Sequence, residues 1–196
     1  MKETIVINLY ASSGSGKSTL AAALYSELKL KHVNCELARE YVKRWVWEQK
    51  IPSSFEEQLY IFGKQSREES LLYKNVDVVV TDSPLWLPAF FEQMFFSTIP
   101  GYKCVLTEAT KIYTDNLERV NKVKFVNFWL DKLDVYKNEG RYETAEKSLE
   151  IHENMFKFLK DQCGLDLIML PKDHQQRMSI VLDHVELLLK RAKEPS

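Results

Sequence analysis

A chain of 196 residues with 45% apolar content can bury one core and reads as a single domain. Its 27 basic and 28 acidic residues leave a net charge of −1, which excludes the broad basic signature of a general nucleic-acid binder but leaves a local basic groove open. Three widely spaced cysteines, Cys35, Cys104 and Cys163, form no C-x-x-C pair and no Cys/His cluster suited to zinc, and are expected as reduced residues in or near the core. Met1 to Leu9 carries no charged leader and no cleavage-site pattern, and no stretch reaches the roughly 20 apolar residues that span a bilayer. A cytoplasmic protein without a membrane partner is therefore expected.

The first strand is expected over Ile5 to Tyr10, and a helix over Lys17 to Leu30. Between them lies Ala11-Ser12-Ser13-Gly14-Ser15-Gly16-Lys17-Ser18-Thr19, a Walker A loop whose first glycine is replaced by Ala11. Gly14 and Gly16 permit backbone conformations that let successive N–H groups converge on phosphate oxygens where a helix begins. Residues Ser13 to Thr19, namely Ser13, Gly14, Ser15, Gly16, Lys17, Ser18 and Thr19, are thus the candidate triphosphate cradle. Lys17 would reach the β and γ phosphates and Ser18 would ligate Mg²⁺. The competing reading is a Gly/Ser-rich turn that merely joins a strand to a helix.

A second strand over Val33 to Ala38 ends in Arg39 and Glu40, and a helix is expected over Glu40 to Gln49. At the carboxyl edge of the sheet, Glu40 could accept or orient a hydroxyl proton and Arg39 could neutralise phosphate, unless Glu40 is simply a first-turn helix acid. Ser54 opens the next helix with Glu57 three residues on, a capping box, and that helix is expected to run to about Tyr73. Gln58 and Gln65 on it could hydrogen-bond a base or amide.

A third strand over Val76 to Thr81 ends in Asp82, followed by Ser83 and Pro84. This is the Walker B arrangement, in which Asp82 holds Mg²⁺ directly or through water; the alternative is an ordinary turn Asp. The aromatic run Leu85 to Phe96 is interrupted by Pro88, Glu92 and Gln93. Among the aromatics, Trp45 and Trp86 each follow a candidate carboxylate closely and could supply a flat surface for a substrate ring.

Further on, a helix is expected over Thr107 to Asn121, a strand over Val123 to Leu130, helices over Thr144 to Gln162 and Asp173 to Ala192, and a strand over Leu165 to Leu170. The segment of about 132–145 contains Gly140 and Arg141 and suits a closing lid that brings a guanidinium onto the transferring phosphoryl group, with Arg119 as a second candidate. Strands alternating with helices imply a three-layer α/β sandwich with a five-stranded parallel sheet and a ligand site at the carboxyl ends of the strands.

The ordered set resembles P-loop kinases of the nucleoside and nucleotide kinase group, and most closely the ribosylnicotinamide kinase domain of NAD-salvage proteins and their phage relatives. It rests on Ala11 to Thr19, Arg39-Glu40-Tyr41-Val42, Gln58 with Gly63-Lys64-Gln65-Ser66-Arg67, Thr81-Asp82-Ser83 and Gly140-Arg141. The resemblance implies the P-loop NTPase fold of that type, with Lys17 and Ser18 binding ATP and Mg²⁺, Asp82 positioning the metal, Glu40 acting as base or hydroxyl-orienting group, and Arg141 supporting the transition state. The function expected is ATP- and Mg²⁺-dependent transfer of the γ-phosphoryl group to a hydroxyl or phosphate of a small nucleoside- or nucleotide-like substrate. Two alternatives stay open: a polynucleotide or modified-DNA-base kinase, and a P-loop ATPase switch. The assembly state is left open and includes a homodimer.

Overall fold

The computed structural model describes residues 3–48, 50, 54–134 and 144–192, without the side chain of residue 46. The strands are β1 (Thr4–Tyr10), β2 (Cys35–Ala38), β3 (Val78–Thr81), β4 (Val123–Leu130) and β5 (Leu167–Leu170). The helices are α1 (Lys17–Leu30), α2 (Lys43–Trp47), α3 (Phe55–Ser70), α4 (Trp86–Phe96), α5 (Leu106–Asn121), α6 (Ala145–Lys157), which widens into a π turn over Phe158–Gln162, and α7 (His174–Arg191).

The five strands form one parallel sheet in the order β2-β3-β1-β4-β5. Every residue of β1 is buried, as its near-continuous apolar run requires of a central parallel strand. Alternation along β1 sends Ile5, Ile7 and Leu9 to one face, where they pack with Leu20, Leu24 and Leu28 of α1 and Val181 and Val185 of α7. Val6 and Tyr10 go to the other face, into clusters shared with α3, α4, α5 and α6. Two amides, Asn8 buried and Asn127 partly buried, interrupt this apolar pattern. Asn8 and Asn127 lie opposite each other in register and satisfy one another across β1 and β4, Asn8 Nδ2 donating to Asn127 Oδ1 at 2.8 Å.

The helix boundaries follow local chemistry. The capping box at Ser54 and Glu57 is formed in both directions, and Asp173 accepts from the N–H of Gln176 at 2.8 Å to start α7. Each such cap stabilises its helix by about 1 kcal/mol. The helix expected over Glu40 to Gln49 spans only Lys43–Trp47, which leaves Glu40 in the connecting turn. Helix α3 stops at Ser70, short of Tyr73, because the chain turns there into β3. Thr4 Oγ1 holds that turn by accepting from Lys74 N and donating to Val76 O, both at 2.9 Å.

Helix α4 is the element that the sequence reading lacked. Pro88 is its third residue, within the first turn, where a backbone N–H has no intrahelical acceptor and its loss is harmless. Six of the eleven residues of α4 are buried, so it shows no clean amphipathic stripe.

Candidate active site

The loop after β1 wraps the start of α1. Gly14 and Gly16 both have φ of 83°, and Gly16 is the residue that precedes the first helical turn. A side chain at either position would be strained, which is the backbone requirement that the two glycines meet. Lys17 opens the helix, and its Nζ donates to the main-chain oxygens of Ala11 at 2.6 Å and Ser12 at 3.0 Å, so the ammonium lies along the loop. The orphan N–H groups and the dipole of α1 favour an anion at this point.

Two distant elements brace the loop. From α7, Arg177 is 2% exposed and donates to three carbonyl oxygens: Ser15 at 2.7 Å, Asp131 at 2.6 Å, and Pro171. Burial lowers the guanidinium pKa, and Asp131 and Asp173 oppose that effect. From α6, Ser148 Oγ donates to Ser13 O at 2.8 Å, accepts from Ser13 Oγ at 3.1 Å and from Lys132 Nζ at 2.6 Å, and lies 3.1 Å from Ser12 Oγ. One turn on, His152 Nδ1 accepts the main-chain N–H of Ser12 at 3.3 Å, and its ring packs 4.4 Å from that of Trp129. Burial above all, then the charges of Lys132 and Lys17, holds the His152 pKa down to about 4, so the ring is neutral and can accept at physiological pH.

Sequence reading missed these braces, although a signal existed. Arg177 shares the buried stripe of α7 with Val181 and Val185, and Ser148 and His152 share that of α6 with Ile151 and Met155. A polar residue on an apolar helix stripe implies a buried partner.

A cavity of about 490 Å³ opens from the loop. Ala11 to Thr19 line it together with Glu40, Val42, Lys43, Gln58 and Ser83. Ile61, Leu87, Pro88, Phe91, Met94, Phe95, Ile151 and Met155 make the rest largely apolar, and Lys147 also lines it. Phe91 and Phe95, one turn apart on α4, stack with ring centroids 6.0 Å apart. A cavity of this size, mostly apolar with a few polar groups, suits one small ligand beside the phosphate loop.

The structure brings together Ser13, Gly14, Ser15, Gly16, Lys17, Ser18, Thr19, Glu40 and Gln58. Asp82 directly follows β3, which pairs with β1, and it is buried at 7% exposure beside Ser83. Asp82 itself is not a wall of the cavity. Four other candidates also lie outside the cavity lining. Trp86 is buried in a core cluster with Tyr10 and Trp129. Trp45 stacks on Tyr60, 6.2 Å between centroids, outside the cavity lining. Gln65 is buried and donates to Glu69 at 3.2 Å instead of reaching the cavity. Arg39 is exposed and does not line it. The aromatic rings that line the cavity are those of Phe91 and Phe95. Arg141 and most of the expected lid lie outside the described residues, and Arg119 is exposed near the end of α5.

Among the described residues no three or more His, Cys, Asp or Glu side chains cluster as a metal site, and no helix is long and apolar enough to cross a membrane.

The parallel sheet with helices on both faces, and a glycine-containing loop leading from β1 into α1, define a P-loop NTPase fold of the nucleoside/nucleotide kinase type. Residues 6–177 match the AAA_28 family, described as an AAA domain, and the chain belongs to that family. No curated protein matches the sequence. The deoxyadenosine kinase of M. mycoides, with products dCMP and a flexible dCDP bound, is 17% identical with a TM-score of 0.61, covering 93% of this chain and 99% of that one. Thymidylate kinase from Candida albicans is 14% identical with a TM-score of 0.60, covering 98% and 94%. APS kinase of Mycobacterium tuberculosis is 14% identical with a TM-score of 0.52, covering 95% and 99%. At these identities the likeness establishes the fold.

Proposed function

We propose that the protein is an ATP- and Mg²⁺-dependent phosphotransferase whose acceptor is the hydroxyl or phosphate of a small nucleoside- or nucleotide-like molecule. One observation carries this reading: a single cavity runs from the phosphate loop to a carboxylate, a buried amide and an apolar wall with two stacked rings. Donor and acceptor can therefore lie end to end, which is what in-line transfer needs.

In this reading the N–H groups of the loop and Lys17 bind the β and γ phosphates and neutralise charge as it shifts toward the leaving oxygen. Ser18 and Asp82 offer hard oxygen donors of the kind Mg²⁺ takes, and they are the residues that would hold it. Bound there, the ion would supply charge neutralisation to the triphosphate. Glu40 orients the acceptor hydroxyl and takes its proton, and the Gln58 amide pairs with a polar edge of the acceptor. Phe91, Phe95, Met94 and Ile151 hold the ring of the acceptor and exclude water from the transferring group. Arg141, outside the described residues, is assigned the lid role. Nicotinamide riboside, an aromatic ring on a hydroxyl-bearing sugar, is the finer acceptor assignment.

The family's description as an AAA domain favours a second reading, an ATPase switch without an acceptor. Labelled ATP incubated with nucleosides, nucleotides, nicotinamide riboside and modified DNA separates the two. The expected result is label in one small acceptor class, lost in a folded Lys17→Ala variant. ATP hydrolysis that no acceptor stimulates, with nucleotide-dependent oligomerisation, would establish the switch instead. A folded Lys17→Ala variant with full activity would remove the site assignment itself.

A further inference from the structure

We infer that Lys147 is a cation for the terminal phosphate of the bound triphosphate, presented to the cavity by the first turn of α6 and held by Glu150 until that phosphate arrives. The inference rests on the reading of the loop as a triphosphate site, but not on the identity of the acceptor.

Among the described residues, three cations line the cavity, Lys17, Lys43 and Lys147, against one carboxylate, Glu40. That balance suits a polyanion. Lys43 opens α2, which follows β2, and β3 separates β2 from β1. Helix α6 instead touches the loop directly, because Ser148 Oγ donates to Ser13 O at 2.8 Å and His152 Nδ1 accepts from Ser12 N at 3.3 Å. This is also the end of the loop that Lys17 Nζ reaches, at Ala11 O and Ser12 O.

Lys147 and Ile151 immediately precede those two contact residues, and with Met155 they are spaced i, i+4 and i+8 along one face of α6. All three line the cavity. The face that α6 turns to the cavity therefore changes from an ammonium in its first turn to two buried apolar side chains, Ile151 and Met155. An ammonium one residue from the contact with Ser13 and one turn from the apolar wall stands where the loop's phosphates end and the acceptor's site begins.

Glu150 is a weak competitor for it. Lys147 Nζ donates to the two carboxylate oxygens of Glu150 at 2.9 and 3.0 Å, and the side chains are 50% and 58% exposed. Water screens such a pair, and it contributes little. A terminal phosphate carries more charge than a carboxylate and lies beside an apolar wall that screens less, so it attracts the same ammonium more strongly. Rotation about the flexible lysine stem exchanges one anion for the other.

The test is calorimetry on the full chain with Mg²⁺, titrating β,γ-methylene ATP and ADP into wild type, Lys17→Ala, Lys147→Met, Lys147→Arg and Glu150→Gln. Lys147→Met should weaken the ATP analogue about tenfold and ADP less than about threefold, because it loses one charged contact that only the longer nucleotide makes. Lys147→Arg should stay within about threefold of wild type for both, and Glu150→Gln should bind the analogue as tightly as wild type or more tightly. Equal losses for the two nucleotides in Lys147→Met, no loss for either, or a loss in Lys147→Arg or Glu150→Gln as large as that in Lys147→Met would each overturn the inference. The Lys17→Ala arm separates the two levels. If that variant loses the analogue and Lys147→Met does not, only the role of Lys147 falls; if wild type binds neither nucleotide, the triphosphate site falls and this role with it.

Discussion

The Glu92 carboxylate of α4 accepts the main-chain N–H of Leu106 at 2.8 Å, and so caps a helix that begins 14 residues later in the chain. It also accepts from Val105 N and the Tyr102 hydroxyl, both at 3.0 Å, and is fully buried. A carboxylate at a helix N-terminus is favoured by both the orphan donors and the dipole. Because Glu92 lies between Phe91 and Phe95, this bond fixes how α4 is turned toward the cavity.

Glu92→Ala should therefore destabilise the fold by about 2–4 kcal/mol, through lost charge-assisted bonds and stranded N–H groups. Glu92→Gln should cost roughly half as much, since the amide oxygen can still accept. Chemical denaturation gives both values. In Glu92→Ala the acceptor KM should also rise with the ATP KM nearly unchanged, and a parallel rise in both would break the proposed link to the α4 wall.

Phe91→Ala and Gln58→Leu act on the acceptor end without touching the loop. Each should raise the acceptor KM about tenfold or more, through lost ring burial in the first case and an unanswered polar edge in the second. ATP affinity measured without acceptor should stay within about twofold. A loss of ATP affinity of the same size in either variant would place that residue at the donor instead.

Arg177→Met strands three carbonyl oxygens that the guanidinium satisfies together. Destabilisation of about 3 kcal/mol or more is expected, with weaker ATP binding because Ser15 loses its support. Arg177→Lys should rescue little, since one ammonium cannot span three directions. Denaturation midpoints and ATP titrations of the two variants check this, and full rescue by lysine would refute the bridging role.

Glu69 gives a pH test. It is fully buried, accepts from Gln65 Nε2 at 3.2 Å and the Tyr73 hydroxyl at 2.9 Å, and faces the buried Tyr10 and the half-buried Tyr113. Burial raises its pKa to about 7, against the opposing hydrogen bonds from Gln65 and Tyr73. The folded state then holds this proton more tightly than the unfolded chain. Its stabilising contribution is complete below the ordinary carboxyl value of 4.5 and is lost as pH rises to about 7. The loss amounts to about 3 kcal/mol at most. Glu69→Gln, neutral at every pH, should gain Tm relative to wild type between pH 5 and pH 8. A Tm difference that does not change with pH would show that Glu69 does not titrate in this window.

How much of this was legible in sequence differs by residue. Lys17 to Leu30 and Val123 to Leu130 were bounded to the residue, because a glycine pair, an apolar run and a cap are local signals. Glu40 lies two residues beyond β2 and lines the cavity, in the connection before α2 and not in a helix. Helix α4 was hidden because Pro88 reads as a breaker, and because a helix buried against both core and cavity lacks a polar face. That Phe91 and Phe95, and not Trp86, line the cavity was hidden for the same reason, since without the helix its faces could not be assigned. The apolar stripes around Arg177 and Ser148 signal that each has a buried partner, but not which one. Their partners are main-chain atoms of the loop, 162 and 135 residues away, and a backbone oxygen leaves no mark in the sequence.

The separation between Ser15 and Arg177 also orders events during synthesis. The loop is made before its braces, and the Arg177 brace arrives only when α7 does, 162 residues later. At about 5–20 residues per second, roughly ten to thirty seconds pass in which the loop has its glycines and its lysine but not its support. A nascent domain stalled before α7 should therefore bind nucleotide more weakly than the finished chain, as Arg177→Met should.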